Sequence, residues 1–363
     1  MTTASPQQQI SPLNTVVDVE VETFESGLPF VNNNEEKLEG IVVDDETVPR
    51  RKMTVAEGLH LLLASMKMFG LYCNPPSKDA GRKEKSRKWN AHVIYAVVVV
   101  TLLWINAIRM FTVFTQEDTF GVILFNKLIA ISWFVQCAVA QTAFYAASVS
   151  GRLAIVFNQV LDDSCARRAR KLTTIYAVVA WTVITAGSTF IVYGLFFTGG
   201  GKDYFITPLQ NHIIVSDPLI PRIIACFITL YVLSAYIFSQ TTTFVLAMMF
   251  SHQFRKVNDT LGRFLQDNDK RQVSEPDIEM LRQKHQQISM NVSHIDDCLM
   301  FSNASAFCCQ VFCAVILLYT LIFYHSVITD AVFISCYVFW MAVVSLGLAL
   351  TAAGGIVVNH FVR

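Results

Sequence analysis

The chain has 363 residues, 53% of them hydrophobic and only 15% charged, with a mean hydropathy of +0.44. That balance argues against an ordinary soluble domain and for an all-α, multi-pass transmembrane helical bundle. Lys and Arg balance Asp and Glu at zero net charge, so there is no electrostatic case for a nucleic-acid partner.

Residues 1–52 are polar, with short acidic clusters at Glu35-Glu36 and Asp44-Asp45-Glu46, and read as a disordered tail. Residues 53–91 read as an amphipathic interfacial helix followed by a basic juxtamembrane segment. Thr54-Val55-Ala56-Glu57 fits a capping box, in which hydroxyl and carboxylate each satisfy an orphan backbone donor. Leu59, Leu62, Leu63, Met66 and Phe69 then make an apolar face. At about sixteen residues, interrupted by Lys67, this helix is too short to span a bilayer. It is expected to lie in the interface or to pack beneath the bundle. Gly70 ends it, and Pro75-Pro76 forbids continuation. Arg82, Lys83, Lys85, Arg87 and Lys88 then mark the cytoplasmic side.

Residues 92–363 form the bundle, with six spans at 92–114, 120–149, 172–197, 219–250, 305–325 and 331–358. The second and fourth exceed the length needed to cross, so they should tilt or project into the cytoplasm. The connections at 150–171 and 251–304 are rich in Arg and Lys, and the alternate ones are not. This bias places the N-terminus, both basic loops and the C-terminus inside. Three glycosylation sequons, at Asn258, Asn291 and Asn303, fall in the 251–304 loop; on this orientation they stay unmodified.

From 276 the apolar residues Ile278, Leu281, Ile288, Val292, Ile295 and Leu299 recur at helical spacing. No turn signal separates that stripe from the fifth span. One long helix is expected, starting in water and ending in lipid. Its stripe needs a partner, which makes Ile288, Val292, Ile295 and Leu299 candidate subunit contacts. The alternative is that the helix lies back on its own neighbours.

Polar groups inside spans are costly and usually face protein or water. Arg109 and Lys127 lie well inside the first and second spans. They are read as ligand-facing charges or, preferentially, as side chains snorkelling to the outer interface. Asn106 shares a helical face with Arg109. Trp133, Gln136, Trp181, Tyr231 and Tyr236 are the further pocket candidates, an aromatic set with few polar groups in the outer bundle. Ordinary interhelical bonding is the competing reading for each. The nine cysteines show neither a disulfide framework nor metal-ligand spacing, and no nucleophile has a base beside it. Neither a cofactor, a metal nor an enzymatic activity is expected.

Leu61 to Pro76 reads LLLASMKMFGLYCNPP, and Ile295 to Tyr319 reads IDDCLMFSNASAFCCQVFCAVILLY. With the loop layout, these stretches resemble the invertebrate gustatory receptor-like proteins, kin to insect odorant receptors. The resemblance runs from about residue 59 to the end and rests on pattern and layout. It implies a seven-span plasma-membrane receptor, a subunit of a ligand-gated cation channel. Its partners would be the bilayer, a small-molecule ligand, and related subunits in a homo- or hetero-tetramer. In that family the seventh span carries Thr-Tyr, an apolar stretch and Gln-Phe, and lines the tetramer's pore. Six spans are seen here before Arg363, so a receptor scaffold without the last helix is expected. It would be a truncated isoform, an incomplete gene product or a non-conducting relative. A G-protein-coupled-type receptor would need an outside N-terminus, which the loop charge opposes. A transporter would show repeats or paired intramembrane acids, and the spans hold no deep acid.

Overall fold

The computed structural model describes residues 53–73, 91–112, 114, 119–161, 163–197, 219–266, 275–324 and 331–362. The expectations for the tail 1–52, Pro75-Pro76 and the basic segment 82–88 lie outside these residues. Strand β1 (Met53–Thr54) leads into helix α1 (Val55–Gly58) and helix α2 (His60–Met68). Two apolar helices follow, α3 (Ala91–Phe111) and α4 (Val122–Val149). A short helix α5 (Arg152–Phe157) and strand β2 (Val160–Leu161) precede α6 (Asp163–Phe196). The chain continues as α7 (Leu219–Gln266), α8 (Glu275–Phe323) and α9 (Ala331–Val362).

Six of these helices are long and apolar enough to cross a membrane, and they coincide with the six expected spans. Helix α3 shows what such a surface looks like. It buries Ala96, Val99, Leu103, Ala107 and Met110, while Ile94, Val98, Leu102, Ile105 and Ile108 stay exposed along the opposite stripe. Lipid tails suit those aliphatic side chains as well as a core does. Contact between helices therefore rests on packing and on small residues that allow close approach. Ala177 and Ala180 of α6 and Ala235 of α7 are buried in this way.

Helices α4 and α7 make up the middle of the bundle. The first packs on α3, α7 and α8, the second on α4, α6, α8 and α9. Helix α7 has 48 residues, about 72 Å at 1.5 Å per residue, against a hydrocarbon core of about 30 Å. Helix α8, with 49 residues, is equally continuous from its charged start to its apolar end, as the missing turn signal predicts. Outside the apolar spans the two helices pack on each other. Phe254, Val257, Leu281 and Ile288 are buried there, and the Phe254 and His285 rings meet at 5.2 Å.

The N-terminal elements are folded into the bundle. The expected capping box is present: Glu57 N donates to Thr54 Oγ1 at 3.3 Å and Thr54 N donates to Glu57 Oε2 at 3.0 Å. It caps only one turn, because the helix breaks at Leu59 (φ −96°, ψ 8°) before α2 begins. The chain before that turn is held from outside. Met53 and Thr54 pair antiparallel with Leu161 and Val160, and Val55 N donates to Gln159 O at 2.8 Å. Helix α2 turns Leu62, Leu63 and Met66 inward, and Leu59 is fully buried at its start. It packs on α6 and α7.

Gly70 stops α2 with φ +71°. Leu71 N donates to Met66 O and Gly70 N to Lys67 O, the paired bonds of a Schellman motif, and Leu71 and Met66 are both fully buried. A Cβ on Gly70 would sit 3.3 Å from Ala96 Cα and 3.4 Å from Gln141 Nε2. Gly70→Ala should therefore lose about 1–2 kcal/mol, the cost of a left-handed L-residue, with any crowding added. Gly262→Ala, in helical conformation with open space around it, should gain up to about 1 kcal/mol. Thermal unfolding of the detergent-solubilised protein should move in opposite directions for the two variants.

Candidate functional site

Phe69 is the hub of the first aromatic group. The turn at Gly70 aims its ring between α6 and α7. It lies 5.8 Å from Trp181, 5.6 Å edge-on from Tyr231, and 5.8 Å stacked on Phe238. Trp181 Nε1 donates to Ser65 Oγ at 3.0 Å, and Ser65 Oγ donates to Leu61 O at 3.0 Å. Tyr95 gives its hydroxyl proton to Met68 O at 2.6 Å. Its oxygen then accepts from Tyr231 OH, 2.9 Å away. Gln141 Nε2 donates to Phe69 O at 3.2 Å. Trp181 and Tyr231, two of the expected pocket residues, thus surround a segment of the chain itself.

Trp133 and Tyr236 belong to a second group, where α4, α7, α8 and α9 meet. The Trp133 ring is 4.9 Å from Trp340 and 6.5 Å from Tyr236, both edge-on. Tyr236 OH accepts from Gln310 Nε2 at 3.3 Å, and both residues are almost fully buried. Gln310 Oε1 is buried without a hydrogen-bond partner. Gly347 makes the arrangement possible. A Cβ there would meet Tyr236 OH at 2.6 Å and Gln310 Nε2 at 2.9 Å. One turn further on, Thr351 Oγ1 donates to Gln240 Oε1 at 2.7 Å. Gln136 is also buried, on the same helix as Trp133.

Arg109 and Lys127 fall elsewhere, on α3 and α4. Arg109 Nη2 donates to Asn106 Oδ1 at 3.2 Å, the shared face expected from their spacing. Lys127 is only 2% exposed. That corrects the preferred snorkelling reading. Its stem is covered by the protein's own helices, because α4 is packed on several sides at once. Next to it, Tyr337 OH donates to Asn126 Oδ1.

The α8 stripe also finds its partner within the chain. Ile288 and Leu299 are buried, and Val292 and Ile295 are half-buried against the same core. Met290, Met300 and Phe301 are the exposed apolar residues of that region. Among the described residues, no group of three His, Cys, Asp or Glu is placed to hold a metal, and all nine cysteines are free.

Sequence reasoning placed Phe69 only on the apolar face of the N-terminal helix and passed over Tyr95, Gln310, Trp340 and Gly347. A glutamine deep in an apolar span was a usable signal for Gln310. Nothing local marked Gly347, whose role depends on a neighbouring helix.

Residues 59–357 match the family described as 7tm Chemosensory receptor. A search of curated proteins gives no significant match. Among solved structures, the insect olfactory receptor OR5 from Machilis hrabei is similar, with a TM-score of 0.62 and 14% identity over 84% of this chain and 82% of that one. At that identity the likeness speaks for the fold. With six apolar helices, the chain is a multi-pass membrane protein, consistent with the plasma membrane. The family match covers well over half of the chain, which therefore belongs to the 7tm chemosensory receptor family.

Proposed function

We propose that this receptor is a subunit of a ligand-gated cation channel, with its N-terminus in the cytosol. A small molecule binding at the Trp133–Tyr236–Gln310–Trp340 junction would bias its closed-to-open equilibrium. The observation that carries the site is Gln310 Oε1, a buried acceptor without a partner beside a tyrosine hydroxyl and an aromatic wall. An unsatisfied buried polar atom is costly, so a ligand donor reaching it gains more than it would at a solvated surface. Three helices besides α7 contribute to the junction. Occupancy can therefore favour one packing of α9 over another only through different contacts in the two states. Arg109 and Lys127 remain candidates for ligand-facing charges.

Family membership supports the channel reading, and the basic loops support the orientation. The three sequons are the observation on the other side. Asn291 carries no weight against the proposed orientation, because its side chain is buried in mid-helix and its Nδ2 donates to Gln287 O at 2.6 Å. The exposed Met290, Met300 and Phe301, together with the half-buried Val292 and Ile295, are among the apolar residues that α8 offers to related subunits in a tetramer.

Calcium imaging against a panel of small molecules, with the chain expressed alone and beside a full-length relative, tests the channel reading. A response in either setting is expected; silence in both would contradict it. For an agonist found this way, Tyr236→Phe and Gln310→Leu should raise the half-maximal concentration about 5- to 10-fold at equal surface abundance. That is the effect of one hydrogen bond of about 1–1.4 kcal/mol. Unchanged potency would remove the site from this junction. An epitope at Met1 should stain only after permeabilisation; staining of intact cells, or a glycan on Asn291, would reverse the orientation.

A further inference from the structure

Where α6 and α7 leave their apolar spans, a shallow cleft lies between them, about 10 Å³ of enclosed space within about 210 Å³ when its open mouth is counted. Its walls are apolar and include Leu172, Met248 and Met249, while Arg168 and His252 stand in its lining. Arg168 Nη1 is 3.3 Å from His252 Nδ1. A guanidinium offers only protons, so the imidazole accepts through Nδ1 and is neutral in this arrangement. One turn on, Lys256 Nζ lies 3.4 Å from Ser164 Oγ across the same gap. Ser164 and Arg168 are four residues apart on α6, and His252 and Lys256 four apart on α7. Two facing rows therefore border the mouth.

The charge around this mouth is one-sided. Residues 161–172 and 248–259 hold Arg167, Arg168, Arg170, Lys171, Arg255 and Lys256, six cations, against the three carboxylates of Asp162, Asp163 and Asp259. Asp259 is already within 3.8 Å of Arg255. Along α6 the steps from Arg168 to Leu172, Ile175 and Val179 are four, three and four, so these residues share one stripe. Ile175 and Val179 are 58% and 43% exposed. One helical face thus passes from cation to cleft wall to bare aliphatic surface.

A free anion would use only the first part of that face. We infer that the rim of this cleft and the adjoining α6 face bind an anionic phospholipid, its headgroup phosphate at Arg168 and Lys256 and its acyl chains along Ile175 and Val179. The inference goes beyond ligand gating and rests on the orientation proposed above, which puts this end of α6 and α7 at the inner leaflet. Bound there, the lipid would tie the ends of α6 and α7 together.

The test is native mass spectrometry of the purified full chain in detergent, titrated with dioleoyl phosphatidylinositol 4,5-bisphosphate and, separately, dioleoyl phosphatidylcholine. Binding in detergent does not depend on topology, so its failure is distinct from a failure of the orientation or of channel activity. Arg168→Gln with Lys256→Gln should weaken binding of the anionic lipid about 10- to 30-fold. The charge-matched pair Arg263→Gln with Lys284→Gln should change it less than about 3-fold. Arg168→Lys should keep affinity within about 3-fold of the parent, since a Lys or an Arg near the lipid surface contributes about equally, which separates lost charge from lost folding. Soluble inositol 1,4,5-trisphosphate at equal concentration should not displace the lipid. Equal loss from both variant pairs, equal binding of phosphatidylcholine, full displacement by the soluble headgroup, or no binding by the parent chain would each overturn the inference.

Discussion

The backbone carbonyls at the end of α2 are the constraint that organises the centre of this bundle. A helix that stops inside a protein, away from water, leaves its last acceptors without partners. Here each has one. Leu71 N and Gly70 N turn back to Met66 O and Lys67 O, and Phe69 N donates to Ser65 O. The next two acceptors, Met68 O and Phe69 O, are reached by Tyr95 from α3 and Gln141 from α4. Two membrane helices thus complete the cap of a third, short one. The β1–β2 pairing and the Val55–Gln159 bond fix where the segment enters, so its position is set at both ends.

Packing and polar contacts play different parts. Hydrogen bonds between membrane helices average about 0.6 kcal/mol and reach about 1.7. Removing a buried Phe side chain typically costs about 3–5 kcal/mol. Phe69, touching three aromatic rings from two helices, therefore outweighs either single bond to the α2 carbonyls. The bonds supply direction instead. They admit one register of α2 against α3 and α4, which ring packing alone would leave loose. The Tyr236–Gln310 junction differs in kind. Its packing is as close, with Gly347 letting α9 approach, but its polar groups are not all satisfied. The N-terminal cap is a finished structure, and the Gln310 junction retains an open acceptor.

Much of this plan was legible in the residues because it follows from local chemistry. Length and apolarity gave six spans. Thr54 and Glu57 gave the cap, Gly70 gave the stop, and the lack of a turn signal gave the continuous α8. Features that depend on a neighbour were not legible. The stripe through Ile288 and Leu299 says that a partner exists, yet it reads the same whether the partner is another subunit or this chain's own α5 and α7. Lys127 at a given depth snorkels or is buried according to which helices cover it. Trp181 and Tyr231 have the composition of a ligand pocket, and only the inserted α2 shows that Phe69 takes that place.

Hydrogen exchange of the backbone amides from Leu62 to Leu71, in the intact protein in a lipid nanodisc, bears most directly on the idea that this segment is locked into the bundle. If it is, those amides exchange as slowly as the buried middle of α7 around Val232 to Leu246. Exchange as fast as that of the exposed start of α8, around Arg282 to Gln287, would mean that α2 rests loosely on the bundle and that its capped carbonyls do not hold the centre together.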